Sequence, residues 1–217
     1  MSVTQRAAFE TSGGAVGSAA IEAIAGIAVI VLTILGLAHV APVFLVAIAT
    51  IIAGVALLAQ GSTIAAEYAH IVNPRAALMV PIGVNSTWSL VILSGASGIV
   101  LGILALLNVS PTDLVAIAVI AFGGGLIISG GPMAQVTALK ISSVQADERL
   151  RRMATEAVAT SIVAQGMVGL GAVVLGILAL AGFTAPTFIL IALLAIGVFV
   201  LANGSTVGSA LLSIVRH

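Results

Sequence analysis

Cysteine is absent from this chain of 217 residues. Disulfides, thiolate metal sites, iron–sulfur clusters and cysteine nucleophiles are thereby excluded. Charge is scarce as well: 6% of residues are Asp, Glu, Lys or Arg, against roughly 25% in a soluble domain. So little polar surface does not cover a water-soluble globule. One Trp and one Tyr provide no aromatic platform for stacking bases, and a formal net charge of +0 removes the electrostatic case for a nucleic-acid partner. The three histidines, His39, His70 and His217, are scattered without metal-ligand spacing. There is no P-loop, no dinucleotide fingerprint and no pair of catalytic carboxylates. The Ser-containing stretches GSTIA and NGSTVGS have no base or orienting acid nearby. The expectation is a protein that is not an enzyme and holds no metal or cofactor.

What the chain has in abundance is apolar residues: 61% are hydrophobic, and the mean hydropathy is +1.32. A helix crossing the hydrocarbon core of a bilayer needs about 20 mostly apolar residues. Six such segments occur, at roughly 15–39, 43–66, 85–107, 112–138, 158–181 and 187–213. The runs are continuous, not alternating, which selects helix over barrel. The N-terminal MSVTQRAAFETSGG lacks the short apolar core of a cleaved signal peptide, so the first segment is expected to stay as a span. The fold class expected is therefore all-α: a polytopic bundle of six transmembrane helices in a single domain over 1–217.

The connections alternate in kind. The turns His39–Pro42, Asn108–Pro111 and Gly182–Pro186 are tiny, with Pro where the next helix starts. The connections at about 67–84 and 140–157 are longer and polar. All seven basic residues (Arg6, Arg75, Lys140, Arg149, Arg151, Arg152 and Arg216) fall on the side of the termini and long connections. The positive-inside rule then places both termini and the long connections on the cytoplasmic side. Arg6, Arg75, Arg149, Arg151 and Arg152 read as topology signals that also attract anionic lipid headgroups. Tyr68 and Trp88 read as interfacial anchors.

The arginines also disclose an internal order. Arg6, Arg75 and Arg149 lie 69 and then 74 residues apart, and the same offsets align GIAVIVLTILGLAHVAP, SGIVLGILALLNVSP and LGAVVLGILALAGFTAP. Three tandem helical hairpins are expected, at about 4–70, 73–141 and 147–215. Thr4, Asn73 and Asp147 precede the matched positions as candidate N-caps. Gly13–Gly14, and Pro81 with Gly83, are expected to break the first two odd-numbered helices, while the third runs straight. Gly54, Gly123 and Gly197 match, as do Gly61, Gly130 and Gly204; Gly13/Gly17 and Gly98/Gly102 form GxxxG pairs. In lipid, close approach over small residues supplies the dispersion that holds helices together, and packing within one chain is the favoured reading of these faces.

Polar residues recur at one depth. Apart from Asp113 beside the outer turn, Glu22 is the one acid within an apolar span, and Gln60, Gln165 and Asn203 share its level near the inner boundary. The offsets pair Glu22 with Gln60, Val91 with Ser129, and Gln165 with Asn203 as facing positions of each hairpin. An intramembrane ionisable residue is a functional candidate, here a proton- or cation-sensitive group in an inward vestibule. The competing reading, inter-helix hydrogen bonding near the headgroups, carries more weight at that marginal depth. Ser18, Thr87 and Ser161 also match, and are assigned only bonds to their own helices.

A glycine-punctuated aliphatic run ending at a turn proline, followed by two glycines seven apart, resembles the HdeD-like short-repeat membrane proteins of bacteria. SGIVLGILALLNVSP with Gly123 and Gly130 carries the likeness best, and GAVVLGILALAGFTAP with Gly197 and Gly204 is next. The first hairpin departs, with Thr33 where the others have Gly102 and Gly176. The resemblance implies a six-helix inner-membrane protein linked to acid or envelope stress, and brings no catalytic residues. The function expected is stress tolerance or a structural role. One alternative is a small channel or transporter constricted near Glu22, and another is an accessory subunit of a larger membrane complex. The expected partners are the lipid bilayer, anionic lipids, and either further copies of the chain or membrane proteins.

Overall fold

The computed structural model describes residues 3–72, 87–143, 148–182 and 185–215, with side chains over 20–62, 89–129, 156, 159–182 and 185–204. The described residues are all-α. Six helices run in order: α1 (Val3–Leu37), α2 (Pro42–Val72), α3 (Thr87–Leu106), α4 (Pro111–Ser143), α5 (Glu148–Leu180) and α6 (Ala185–Val215). Each contains a stretch long and apolar enough to span a membrane, from Ala20–Leu37 in α1 to Ala185–Gly204 in α6. Backbone groups in hydrocarbon have no water to bond, and a helix satisfies them within its own segment.

Large apolar side chains on the outside of the bundle point to the same medium. Ile24 is 68% exposed, Leu93 65%, Met167 72% and Leu170 59%. A water-soluble monomer does not present such faces on every side. The chain is a multi-pass membrane protein.

The helices arrange as a closed ring around a central trio. Successive helices touch, α1 returns to α6, and α2, α4 and α6 also touch one another. Each odd-numbered helix therefore lies in the groove between two even-numbered ones, and among the described residues α1, α3 and α5 make no contact with each other. The odd helices bury one narrow stripe apiece. In α1 it is Glu22, Ala25, Gly26, Val29, Thr33 and Gly36; in α3 it is Val91, Ser94, Gly95, Gly98, Gly102 and Ala105. Spacings of three and four keep such a stripe on one helical face.

Glycines set how closely the helices approach. A methyl group added at Gly54 of α2 would sit 2.7 Å from the Gly95 carbonyl oxygen of α3. One added at Gly123 of α4 would sit 2.5 Å from the Gly169 carbonyl oxygen of α5. At the third interface, a methyl at Gly26 of α1 would lie 2.7 Å from the Leu201 amide of α6, and one at Gly197 would lie 2.9 Å from the Val29 side chain. Gly26, Gly95 and Gly169 are related by the same offsets of 69 and 74 residues, as are Gly54, Gly123 and Gly197. These faces meet inside one chain.

The tight turns at the opposite end from the termini share one construction. At the end of α1, the His39 amide donates to the Gly36 carbonyl and the Val40 amide to the Leu35 carbonyl. Asn108 and Val109 repeat this on Ala105 and Leu104, and Gly182 donates to Ala179. At the ends of α1 and α3 this is a Schellman closure, which requires a left-handed residue just past the helix. His39 and Asn108 take that role with φ of 64° and 63°, and Gly182 after α5 is likewise left-handed at 86°. Pro42 and Pro111 then open α2 and α4, where a missing amide hydrogen costs nothing.

Two local expectations require correction. α1 is unbroken from Val3 to Leu37, so Gly13–Gly14 does not interrupt it. A glycine inside a helix costs only about 1 kcal/mol, less than a lost hydrogen-bonded turn in an apolar setting. Thr4 falls inside the first turn of α1 instead of capping it. α5 is continuous from Glu148 to Leu180, with no break in its course, as expected. Arg75, Asn73, Pro81, Gly83 and Asp147 lie outside the described residues, as do the side chains of Arg6, Arg149, Arg151, Arg152, Tyr68 and Trp88.

Candidate functional site

Polar side chains gather near the end of the bundle that bears the termini. Gln60 lies 18 residues along α2 from Pro42, about 27 Å of helix, close to the far boundary of a ~30 Å hydrocarbon core. Ser129 holds the offset-related place on α4 and Asn203 that on α6. On the outer trio the matching level is Glu22, Val91 and Gln165. Glu22, Gln60, Ser129 and Gln165 are all buried, with exposures of 8%, 6%, 4% and 5%; Asn203 is half-buried.

The hydrogen bonding is clearest at Gln165. Its Nε2 donates 3.1 Å to the Leu126 carbonyl and also to Ser129 Oγ. Ser129 in turn donates 3.0 Å to the same Leu126 carbonyl. The Gln165 amide thus bridges α5 to α4. The facing partner expected from the sequence was Asn203, on α6. The reason for the difference is the glycine contact between Gly123 and Gly169, which draws α5 against α4 one turn away. Gln60 and Asn203 are also engaged in interactions of their own.

The corresponding level of α3 carries no polar group. Val91 is 1% exposed, and a methyl added at Gly61 would meet its Cγ1 at 3.4 Å. Apolar packing between α2 and α3 takes the place of the amide bridge between α4 and α5. Glu22 is the third member of this set and the only charged side chain buried among the described residues. None of the described hydrogen bonds involves its carboxyl group.

Buried hydroxyls elsewhere turn back on their own helices. Thr33 donates 2.8 Å to the Val29 carbonyl, Thr50 2.8 Å to Val46, and Ser94 2.8 Å to Val91. Such bonds satisfy the hydroxyl locally and leave it no part in chemistry. Ser161 is exposed on α5; the side chains of Ser18 and Thr87 lie outside the described residues. Among the described residues no buried polar side-chain atom lacks a hydrogen-bond partner, and no three His, Asp or Glu side chains cluster as a metal site. His39 is exposed in the first tight turn.

The centre of the bundle is filled by aliphatic and aromatic groups. Leu57, Val119, Phe122, Leu126, Leu193 and Ile196 are each at most 1% exposed. Ala49, Ala118 and Ala192, one from each central helix at offset-related positions, are fully buried at 0%. At the end with the tight turns, Pro42, Pro111 and Pro186 with Val46 and Ile189 line a shallow apolar depression between the three central helices.

The sequence reading missed Gly26, Gly95 and Gly169. Their register match at the 69- and 74-residue offsets was the signal that could have found them, and they mark the outer helices' side of each close approach. No protein-family model matches the chain, and neither does any curated protein or any solved structure.

Proposed function

We propose that this chain is a non-enzymatic scaffold of a bacterial inner membrane, of the HdeD-like type, built from three tandem hairpins. In this reading both termini are cytoplasmic, and the protein serves acid or envelope-stress tolerance as a structural or accessory component. The observation that carries it is the filled centre: Leu57, Val119, Phe122, Leu126, Leu193 and Ile196 occupy the space a conduit would need. The recurrence of the same glycine contact at three interfaces supports the hairpin reading. The arginines at Arg6, Arg75, Arg149, Arg151 and Arg152 support cytoplasmic termini and a hold on anionic headgroups.

The rival reading, a small channel or transporter, draws on the buried polar layer of Glu22, Gln60, Ser129 and Gln165. Transport sites commonly sit at broken helices near the midplane, whereas the six spans here are continuous. The scaffold reading is tested by deleting the gene and challenging cells at low pH. Poorer survival, rescued by the intact gene, is expected; unchanged survival removes the stress role. Purification in mild detergent separates the subunit form of the scaffold from a self-assembling one, through partners recovered at fixed ratio or a homo-oligomer alone.

A further inference from the structure

The three interfaces between neighbouring hairpins share one glycine contact and differ one turn away from it. Beside Gly169, position 165 of α5 is Gln, whose amide donates to the Leu126 carbonyl and to Ser129 on α4. Beside Gly95, position 91 of α3 is Val, packed near Gly61 of α2. Beside Gly26, position 22 of α1 is Glu. The contacts of Gly26 with Leu201 and of Gly197 with Val29 and Ile30 fix α1 on α6. The offset of 74 residues carries Leu126 to Val200 and Ser129 to Asn203. The Val200 carbonyl and the Asn203 side chain are therefore the groups that register places opposite Glu22.

Glutamine and protonated glutamic acid have nearly the same shape, and both can donate a hydrogen bond. A carboxylate can only accept. Facing a carbonyl oxygen in a water-poor setting, the ionised form gains no bond there and carries the cost of a buried charge. We propose that Glu22 is a proton-binding site that latches α1 to α6. Neutral, it bridges the helices as Gln165 bridges α5 to α4. Ionised, it gives up that bond and draws water in from the near boundary, so that the inner end of α1 loosens while the glycine contact holds.

The surroundings leave the proton as the controlling ligand. Glu22 is buried on α1, which packs against α2 and α6. Over the described side chains of these helices it is the only charged or titratable group; its polar neighbours in level, Gln60 and Asn203, are neutral amides. Arg6 and Glu10 of α1, Glu67, Tyr68 and His70 of α2, and Arg216 and His217 beyond α6 have side chains outside the described set. The proposal stands apart from the scaffold reading, since a scaffold or a transporter could carry the same latch.

The absence of native cysteine makes the test direct. Spin labels at Ile21→Cys and Ala202→Cys, both exposed positions on adjacent helices, report the α1–α6 separation in the full chain reconstituted in lipid vesicles. Ala164→Cys and Ile128→Cys, the offset-related exposed pair, report α5–α4 in the same way. The expected result is a 21/202 distance distribution that is narrow in acid and lengthens and broadens as pH rises, with 128/164 unchanged. Glu22→Gln should hold 21/202 narrow at every pH. Gln165→Glu should transfer the pH response to 128/164. A 21/202 distribution that ignores pH in the otherwise native chain overturns the proposal, as does one that shifts equally in Glu22→Gln. If Glu22→Gln fails to assemble, the native and Gln165→Glu measurements still decide it.

Discussion

The central helices α2, α4 and α6 bury 44%, 50% and 44% of their apolar spans, and the outer helices α1, α3 and α5 bury 33%, 33% and 28%. Composition does not make this difference, because all six spans are comparably apolar. Position does: a central helix is enclosed by neighbours, whereas an outer one shows most of its circumference to lipid. In water the contrast would be driven by apolar burial. In a bilayer, lipid tails are as apolar as leucine, so the bundle depends on close fit and on a few hydrogen bonds. The places to break it are therefore the glycine contacts and the amide bridge, not the breadth of the apolar surface.

The largest effect is expected at the glycines that join the two groups. Gly54→Leu drives a side chain into the Gly95 carbonyl and the Ile99 backbone of α3. Neither can swing away, so a loss of about 3 kcal/mol or more is expected, read as a collapse of the folded fraction during denaturation in mild detergent. Next comes the contrast of inside and outside. Leu57→Ala empties fully buried volume in a central helix and should cost about 2–5 kcal/mol. Leu93→Ala, on the lipid face of α3 at 65% exposure, should change stability by no more than about 0.5 kcal/mol. Equal losses in the same unfolding assay would dissolve the distinction between the two trios.

Smaller effects sharpen the comparison. Gln165→Leu removes the bridge from α5 to α4 and should cost about 0.6–1.7 kcal/mol, the range for hydrogen bonds between membrane helices. Thermal unfolding of the variant measures it, and no change would leave the amide bridge without a structural role. Ala41 adopts a left-handed φ of 43° just before Pro42, a conformation that costs a side-chain-bearing residue about 1–2 kcal/mol. Ala41→Gly is expected to raise stability by up to about 1 kcal/mol, part of that strain being offset by the freedom glycine adds to the unfolded chain.

Most of the architecture could be read before any coordinates. Long apolar runs identify spans because hydrocarbon leaves the backbone no other partner, and Pro42 and Pro111 open their helices as read. Two features resisted. The unbroken course of α1 through Gly13–Gly14 was hidden because glycine propensity is a weak local preference that context overrides. The partner of Gln165 was hidden because offsets in a sequence reveal which positions are alike, not which ones touch. Likeness pointed to Asn203 on α6; the approach of Gly169 to Gly123 instead delivered Ser129 on α4. Of the polar layer, Glu22, Gln60, Gln165 and Asn203 could be named from the sequence, but the bonds of Gln165 to α4 could not.

The central claim is that the middle of this bundle is packed shut and serves as support, not as a path. Ion and proton flux across vesicles containing the purified full chain tests it most directly. The account predicts flux no greater than in protein-free vesicles, for the native chain and for Glu22→Gln alike. Flux that scales with the amount of protein and disappears in Glu22→Gln would contradict it.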